Sequence, residues 1–309
     1  MSLERRQMDA FAFKVMLVLC LIWGIQQVTI KGVADDIAPV MQAALRSGIA
    51  ATLVALLLGW RGGWSHMPYS WRPGLVAGAL FGLEFLFIAE GLKLTSAAHM
   101  SVFLYTAPIF TALGLHWRVP GERLRPLQWL GIGLAFVGIV CAFAGGLSLQ
   151  QLHWRSLIGD GMGLIAGACW GATTVVVRST RLSEAPPTLT LFYQLLVGFV
   201  GLLVIAALSG QLGHVNPTPL AMSSVLFQGV VVSFGSYLTW FWLMRQYLAS
   251  NLAVFSFVTP LFGVTFGVLL LDEPVTLNFI AGAVLVLLGV TLVSAEQWVR
   301  RVLRRWLER

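Results

Sequence analysis

Long runs of apolar residues, separated by short polar stretches, cover almost the whole chain. Ten of them are long enough to cross about 30 Å of hydrocarbon. They lie at residues 11–31, 39–60, 74–92, 96–117, 127–145, 156–177, 187–209, 219–243, 250–271 and 275–297. Because lipid offers no partner to a backbone N–H or C=O group, segments of this kind span a membrane as helices. The pattern predicts an all-α integral membrane protein with ten transmembrane helices.

A repeat at a spacing of about 152 residues divides the chain into two similar copies. The recurring residues are Lys93, Val102 and Pro108 in the first copy and Arg245, Val254 and Pro260 in the second. The match continues with Glu122, Gly131 and Gly138 in the first copy, and with Glu273, Gly282 and Gly289 in the second. In both copies the glycines follow the glutamate by nine and sixteen residues. We infer an internal duplication.

Each copy holds five predicted spans, and this odd number inserts the second copy in the opposite orientation. The first helix of each copy carries Trp-Gly eight residues before a basic residue: Trp23 precedes Lys31, and Trp170 precedes Arg178. We therefore expect two inverted five-helix repeats around a central cavity, over residues 1–147 and 148–297, followed by a tail over 298–309. In transporters, inverted halves of this kind open a central site alternately to either side.

These landmarks resemble the EamA repeat, with Trp-Gly in spans one and six, a proline in spans four and nine, and a glutamate before spans five and ten. The resemblance covers nearly the whole chain and implies a member of the drug/metabolite transporter superfamily. Within that superfamily, the chain is most similar to bacterial exporters of amino acids, including aromatic ones. It departs from the family at Glu90, where members more often have an apolar or aromatic residue. The resemblance implies a secondary transporter that exports small metabolites by alternating access.

Composition and charge agree with a membrane protein. Hydrophobic residues make up 58% of the chain and charged residues 11%, and the mean hydropathy of +0.83 excludes a soluble globular domain. Of the 20 Lys and Arg residues, sixteen fall on the side that holds the N-terminus, which the positive-inside rule makes cytoplasmic. We therefore attribute the net charge of +7 to the orientation of the chain in the membrane, and we expect no nucleic-acid partner. We expect a multi-pass protein of the bacterial inner membrane with both termini cytoplasmic, whose basic amphipathic tail lies on membrane lipid.

The sequence offers little for catalysis or metal binding. Cys20, Cys141 and Cys169 lie within predicted helices, so neither a disulfide framework nor a metal site is indicated. There is no catalytic or nucleotide-binding motif, so we expect no cofactor and favour a transporter of a small molecule such as an amino acid over a membrane enzyme. An exporter of drugs or other metabolites and a passive facilitator stay open as alternatives. The pattern favours no particular oligomeric state or coupling ion.

Two charged residues lie deep in predicted spans, where the cost of a charge makes each a functional candidate. Arg46 in span two and Glu84 in span three lie about 10 to 12 Å below the same membrane surface, on neighbouring antiparallel helices. Two interpretations stay open: an ion pair that only fixes helix register, and a direct role in binding or gating. A Glu84 that contacts substrate would face an ammonium group or exchange a proton.

Other polar residues lie near the outer helix ends. Glu90 and Lys93 are one helical turn apart and predict a local pair. Asp160, which lies between two glycines, predicts a charge at the N-terminus of a helix. His99 is either a hydrogen-bonded helix residue or a gate.

Prolines at matching places in the two copies predict a pair of hinges. A proline removes a backbone donor and frees a carbonyl one turn earlier, so it kinks a membrane helix. Pro108 in span four and Pro260 in span nine are the candidates. Kinks at equivalent places in inverted halves favour hinges around a central cavity.

Five aromatic residues are candidates for substrate contact. Trp23 and Trp170 lie near the middle of equivalent helices, and Tyr105, Tyr237 and Trp240 lie on spans that the family places around the cavity. Tyr and Trp combine an apolar ring with one polar group, which suits an aromatic or apolar side chain. Together with Glu84 they form the predicted substrate-binding set, in which Trp170 is the strongest candidate.

A stripe of glycines at four-residue intervals runs along span six, at Gly163, Gly167 and Gly171. Stripes of small residues let helix backbones approach closely. The stripe predicts a tight helix contact at the repeat interface.

Overall fold

The computed structural model of the chain describes residues 9–118, 124–144, 154–213, 215–247, 256 and 258–307. Regular structure in these ranges is helical, apart from an isolated β-bridge between Ile37 and Val215. The helices are α1 (Ala10–Gly32), α2 (Pro39–Arg61), α3 (Met67–Gly91), α4 (Ala97–Leu104), α5 (Ala107–Arg118), α6 (Pro126–Ala144), α7 (Trp154–Ser179), α8 (Pro187–Leu208), α9 (Pro219–Leu226), α10 (Tyr237–Gln246), α11 (Thr259–Leu271) and α12 (Leu277–Leu307). A π-helix, Phe227–Ser236, joins α9 to α10, and 3-10 turns lie at Gly63–His66, Arg181–Ser183 and Gln211–Gly213.

Within the described ranges, seven helical segments are long and apolar enough to cross a membrane. They are Ala10–Gly32, Pro39–Arg61, Gly63–Gly91, Ala97–Arg118, Trp154–Ser179, Pro187–Leu208 and Pro219–Leu243. The three remaining apolar runs hold shorter helices, which are Pro126–Ala142, Thr259–Leu271 and Leu277–Leu292. The protein is therefore an all-helical, multi-pass membrane protein.

Helices from the first half of the sequence pack mainly on helices from the second half. α1 packs on α11, α2 packs on α8, α3 packs on both α7 and α8, and α6 packs on α12. A buried apolar cluster runs across α2, α3 and α8 and includes Val54, Phe81 and Leu195. The two halves of the sequence therefore share one core.

Glycine brings the backbones of α6 and α12 into contact. A Cβ atom added to Gly138 would lie 2.6 Å from the backbone nitrogen of Val286 and 2.7 Å from the carbonyl oxygen of Gly282. A Cβ atom on Gly282 would lie 2.5 Å from both the Ala142 nitrogen and the Gly138 oxygen. These distances are too short for any side chain, so glycine sets how closely the two helices approach. The landmark glycines of the two copies therefore meet crosswise, Gly138 against Gly282 and Gly131 against Gly289.

The fourth predicted span is broken in its middle. α4 ends at Leu104, α5 begins at Ala107, and the two residues between them form a turn. Pro108 is the second residue of α5 and has no N–H group to continue the hydrogen bonding of α4. The Phe103 carbonyl accepts both the Thr106 hydroxyl at 2.6 Å and the Thr106 backbone N–H at 3.2 Å, so this turn closes on the end of α4.

The glycine stripe of α7 lies against this break. A Cβ atom on Gly167 would lie 2.9 Å from the Leu104 carbonyl oxygen, and one on Gly171 would lie 2.9 Å from the Ala107 carbonyl oxygen. The tight helix contact predicted from the stripe is confirmed. It places the middle of α7 directly beside the broken helix.

The second matched proline also lies at the start of a helix. Pro260 is the second residue of α11, a position where the missing N–H leaves no helical hydrogen bond unmade. Residues 248–255 and 257, which precede it in the predicted span, lie outside the described part. The hinge role of Pro108 and Pro260 stays a prediction.

The eighth predicted span changes its winding along its length. It begins as α9, continues for ten residues as the π-helix Phe227–Ser236, and ends as α10. Wide π turns are rare, and they occur often at functional sites. The transition to α10 falls between Ser236 and Tyr237, both of which belong to the site described below.

The last helix continues into the predicted tail. α12 runs without a break to Leu307, so the backbone of the tail extends this helix. The contact of its basic side chains with lipid stays a prediction.

Candidate functional site

A buried guanidinium lies at the centre of the helix bundle. Arg46 lies on α2, seven residues from its first residue Pro39, which is about 10 Å along the helix axis. The side chain is 0% exposed, and its Cζ atom lies 3.7 Å from the centroid of the Phe85 ring. In the part of the chain that the structure describes, no acceptor meets its three guanidinium nitrogens in good hydrogen-bonding geometry, and the Tyr237 phenol lies in loose hydrogen-bonding proximity. Arg46 is a cation held in place by an aromatic face.

Glu84 lies next to Phe85 on α3 and is buried as well. Its carboxylate and the Arg46 guanidinium interact through their charges. Among the described residues, however, they form no hydrogen bond with each other. The two residues are neighbours, as the sequence predicts, without the direct pair that a purely structural role would favour.

Two tyrosines enclose this charged pair. Tyr237 lies close to both Arg46 and Glu84, and Tyr105, in the turn between α4 and α5, lies close to Tyr237 and Glu84. Thr259, at the start of α11, faces the Tyr105 phenol. Five helical segments thus contribute to one region.

Two aromatic pairs continue the region. The rings of Tyr105 and Trp170 meet edge to face, with their centroids 5.3 Å apart and an interplanar angle of 88°. Trp23 and Trp240 meet in the same way at 5.6 Å and 72°. The indole N–H of Trp23 donates to the Ser236 hydroxyl at 2.8 Å, which fixes the ring against the end of the π-helix.

We call this set the central cluster. Its members are Trp23, Arg46, Glu84, Tyr105, Trp170, Ser236, Tyr237, Trp240 and Thr259. The six side chains predicted to bind substrate fall into two adjoining groups. Tyr105, Trp170 and Tyr237 lie in the apolar cluster around Arg46 and Glu84. Trp23 and Trp240 belong to a second apolar cluster, which is joined to the first through Ser236 and α10. Ser236 and Thr259 were not among the predicted site residues, because a lone hydroxyl in a membrane helix gives no signal of its own.

The helices around the central cluster carry further polar atoms without partners. Within the described ranges, buried side-chain oxygens that accept or donate no hydrogen bond belong to Gln27, Ser101, Gln228, Ser233 and Thr259. Buried polar atoms are normally hydrogen-bonded to protein, to water or to a ligand. The interior of this bundle therefore has unused capacity for hydrogen bonds.

A second group of charges joins two helices and an inter-helix segment at one end of the bundle. The ammonium of Lys31, at the end of α1, donates to Glu273 Oε1 at 2.8 Å and to the Thr95 carbonyl at 3.0 Å. The Glu273 carboxylate also accepts the backbone N–H groups of Ala97 at 2.8 Å and Ala98 at 3.1 Å. We call this group the Lys31–Glu273 latch. It ties α1, α4 and the segment between α11 and α12 together.

His99 and Asp160 lie beside the latch. The Nδ1 atom of His99 is 3.0 Å from Asp160 Oδ2, and its ring stacks on Phe279 with centroids 3.9 Å apart. The Thr95 hydroxyl donates to the same carboxylate. His99 is therefore a hydrogen-bonded residue that also joins α4, α7 and α12, and its role as a gate stays a prediction.

The prediction for Asp160 was wrong. α7 begins at Trp154, so Asp160 lies almost two turns inside the helix and not in its first turn. Its side chain is 3% exposed and bonded to α4. The prediction placed the start of the helix too close to Asp160.

The latch itself was not predicted as a site. Lys31 and Glu273 were recognised only as matched landmarks of the repeat, and their proximity depends on how α1 and α11 pack. Glu122, the counterpart of Glu273, lies outside the described residues. The predicted local pair is present, since Lys93 Nζ lies 2.6 Å from Glu90 Oε1.

A cavity of about 400 Å³ lies away from the central cluster, at the start of α3. His66, Tyr69, Ser70, Arg181, Glu184 and Ala185 line it. In the described part of the chain, no group of three His, Cys, Asp or Glu side chains is placed to hold a metal ion.

Comparisons with known proteins place the chain among transporters. The sequence pattern of the EamA-like transporter family matches residues 11–144 and 157–295. An uncharacterized transporter of Archaeoglobus fulgidus is 25% identical over 285 residues, which cover 90% of this chain and 95% of that protein. A probable amino-acid metabolite efflux pump of Salmonella typhimurium is 24% identical over 295 residues, which cover 93% and 96% of the two chains. A solved crystal structure shares the fold with a TM-score of 0.63 at 20% identity, covering 93% of this chain and 98% of the other.

Proposed function

Because the chain belongs to the EamA-like transporter family, we propose that it is a secondary transporter that exports small metabolites, above all amino acids including aromatic ones, by alternating access. The central cluster carries this proposal. It brings aromatic rings and two opposite charges together in the interior of a membrane protein, between helices of both sequence copies. The relative named as a probable amino-acid metabolite efflux pump supports the substrate class.

We also propose that the ten apolar helices form two inverted five-helix repeats, over residues 1–147 and 148–297. Two successive matches to the family pattern and the packing of each half on the other support this arrangement. In the proposed topology, both termini face the cytoplasm of a bacterial cell and the chain lies in the inner membrane. The Lys31–Glu273 latch then lies at the outer surface and closes the bundle on that side.

In this proposal, the cluster binds substrate through several groups. Trp170 and Tyr105 contact an aromatic or apolar side chain, and Trp23, Trp240 and Tyr237 enclose it. Glu84 faces the substrate's ammonium group. Gating and hinge roles fall to Arg46, His99, Pro108 and Pro260.

Counterflow in proteoliposomes tests the proposal. The purified protein is reconstituted, loaded with one unlabelled amino acid at a time, and exposed to the labelled form with and without a pH gradient. We expect saturable exchange of neutral and aromatic amino acids. Exchange without accumulation under any gradient would indicate a passive facilitator, and exchange of apolar drugs alone would favour a drug exporter. Absence of saturable movement of every amino acid by the folded protein would reject the proposal.

Replacing Trp170 with leucine is expected to lower the kcat/KM for aromatic amino acids about fivefold to tenfold. The change removes an aromatic contact worth about 1 kcal/mol or slightly more, and 1.4 kcal/mol corresponds to a factor of ten. Exchange of leucine should change less, because it makes no ring contact. Trp154→Leu, at the exposed first residue of the same helix, is the matched control. Equal losses for aromatic and aliphatic substrates would contradict a ring contact at Trp170.

A further inference from the structure

Arg46 is a buried cation that the protein itself leaves largely unsatisfied. An arginine guanidinium carries five N–H donors, and in the described part of this chain none of its nitrogens has an acceptor in good hydrogen-bonding geometry. Removing a charge from water without pairing it is costly, and buried charges are normally paired and hydrogen-bonded. The side chain is nevertheless 0% exposed. The Tyr237 phenol, which lies in loose hydrogen-bonding proximity, can accept from only a minority of the five donors. The others stay available to a group that enters the site.

The geometry around Arg46 leaves its donors available. The Phe85 ring lies over the guanidinium at 3.7 Å from the Cζ atom, and this contact occupies one face of the planar group. The N–H bonds point outward in the plane of the guanidinium, toward its edge and away from the ring that covers its face. A planar acceptor with two oxygens fits this edge through two parallel hydrogen bonds.

The neighbouring charges select the kind of acceptor. Glu84 and Tyr237 are the groups with which Arg46 interacts electrostatically. A single cation next to a carboxylate suits a monoanion, because a second negative charge on the ligand would be repelled by Glu84. A cationic ligand that carries no acid group would be repelled by Arg46.

We propose that Arg46 is the receptor for the carboxylate of the transported molecule, and that the substrates are monocarboxylic acids, foremost zwitterionic ones. This inference rests on the proposed transport function. The acid group binds the guanidinium edge, an amino group on the neighbouring carbon faces Glu84, and the rest of the molecule extends toward the Tyr105–Trp170 pair. In this inference Arg46 binds the substrate directly, in place of the gating role given to it above, and is not a structural ion-pair partner.

A set of probes with matched side chains tests the head group. The benzyl series consists of L-phenylalanine, 3-phenylpropionate, phenethylamine and L-phenylalaninamide, and the isobutyl series of L-leucine, 4-methylpentanoate, isopentylamine and L-leucinamide. Each is measured as a competitor of counterflow and as a ligand that raises the Tm of the purified protein in nanodiscs. We expect the two compounds with a free carboxylate in each series to compete and to raise the Tm, and the amine and the amide to do neither.

Variants of Arg46 separate a receptor from a structural cation. For Arg46→Gln we expect about a hundredfold or greater loss of affinity for the carboxylate probes, because a buried charged partner is removed. For Arg46→Lys, which keeps the charge without the two-pronged donor edge, we expect a loss of about tenfold. The Tm of Arg46→Gln without ligand should equal or exceed that of the wild type, because the change removes an unpaired buried charge.

Ser47→Ala is the matched control. Ser47 follows Arg46 on α2, is 0% exposed, and donates only to the Ala43 carbonyl of its own helix at 2.7 Å. The affinity of the Ser47→Ala variant for the carboxylate probes should equal that of the wild type. A lowered Tm or loss of folding in Arg46→Gln, with Ser47→Ala intact, would assign Arg46 a structural role and overturn the inference.

The remaining outcomes separate this inference from the proposed function. If the amine or amide probes compete as well as the acids, or if Arg46→Gln binds L-phenylalanine as the wild type does, the carboxylate receptor is rejected and transport stands. If no probe of either series binds or moves, the proposed amino-acid transport fails and the inference fails with it.

Discussion

Replacing Gly282 with leucine is expected to abolish stable folding, and Gly282→Ala is expected to lower the free energy of unfolding by about 1 to 3 kcal/mol. A Cβ atom at this position would lie 2.5 Å from the Ala142 nitrogen and the Gly138 carbonyl oxygen. Both are backbone atoms of α6, so relief requires that the two helices move apart. The measurement is the Tm of the purified variant together with its yield from the membrane.

Gly133→Ala provides the control for this prediction. Gly133 lies on α6, and a Cβ atom there would meet nothing within 4 Å. The alanine should leave the Tm unchanged or raise it slightly, because glycine in a helix interior costs about 0.5 to 1 kcal/mol relative to alanine. Similar Tm values for Gly282→Ala and Gly133→Ala would show that the helices do not meet through Gly282.

Glu273→Ala is expected to open the bundle at the latch. The carboxylate is buried and accepts from Lys31 and from two backbone N–H groups of α4. Removing one partner of a buried pair costs about 3 to 5 kcal/mol. We expect about 3 kcal/mol here, because the Lys31 side chain is 32% exposed and keeps contact with water. The closed arrangement should lose about a hundredfold in population relative to an open one.

Thiol labelling of Cys20 measures this opening. Cys20 is buried on α1 near the central cluster, and Cys141 and Cys169 are replaced by alanine in the background. An impermeant thiol reagent added from the outer side should label Cys20 in Glu273→Ala up to about a hundred times faster than in the parent, in line with the population shift.

Glu90→Ala breaks a pair that is about one-third exposed, which is worth at most about 1 kcal/mol, and should leave the labelling rate nearly unchanged. If Cys20 is labelled at the same rate in Glu273→Ala as in the parent, the latch does not hold the bundle closed.

The sequence predicts features that depend on one helix or on the repeat. Apolar runs locate the helices because an apolar segment that crosses lipid must satisfy its own backbone hydrogen bonds, as a helix does. The stripe at Gly163, Gly167 and Gly171 predicts a tight contact because its spacing is a property of one helix face. Trp23 and Trp170 could be selected because they match between copies. All of these expectations use information that is local or internally repeated.

Other features depend on which helices become neighbours. The environment of Asp160 is set by the packing of α7 on α4, which leaves no mark in the sequence around it. Lys31 and Glu273 meet because α1 packs beside α11. Arg46 and Glu84 could be placed at one depth by counting residues, but the Phe85 ring between α2 and α3 could not be foreseen, since phenylalanine in a membrane helix more often faces lipid or core.

The shared core has a consequence for how the chain reaches its native state. Lys31 and Glu273 are 242 residues apart in sequence, and α1 finds its main partner only in α11. At synthesis rates of about 5 to 20 residues per second, about 10 to 50 seconds separate the appearance of these two residues. During that interval α1 lies in the bilayer without the helix on which it later packs. The first helix must therefore wait in the bilayer, and the contacts of α1 with α11 and of α6 with α12 can form only near the end of synthesis.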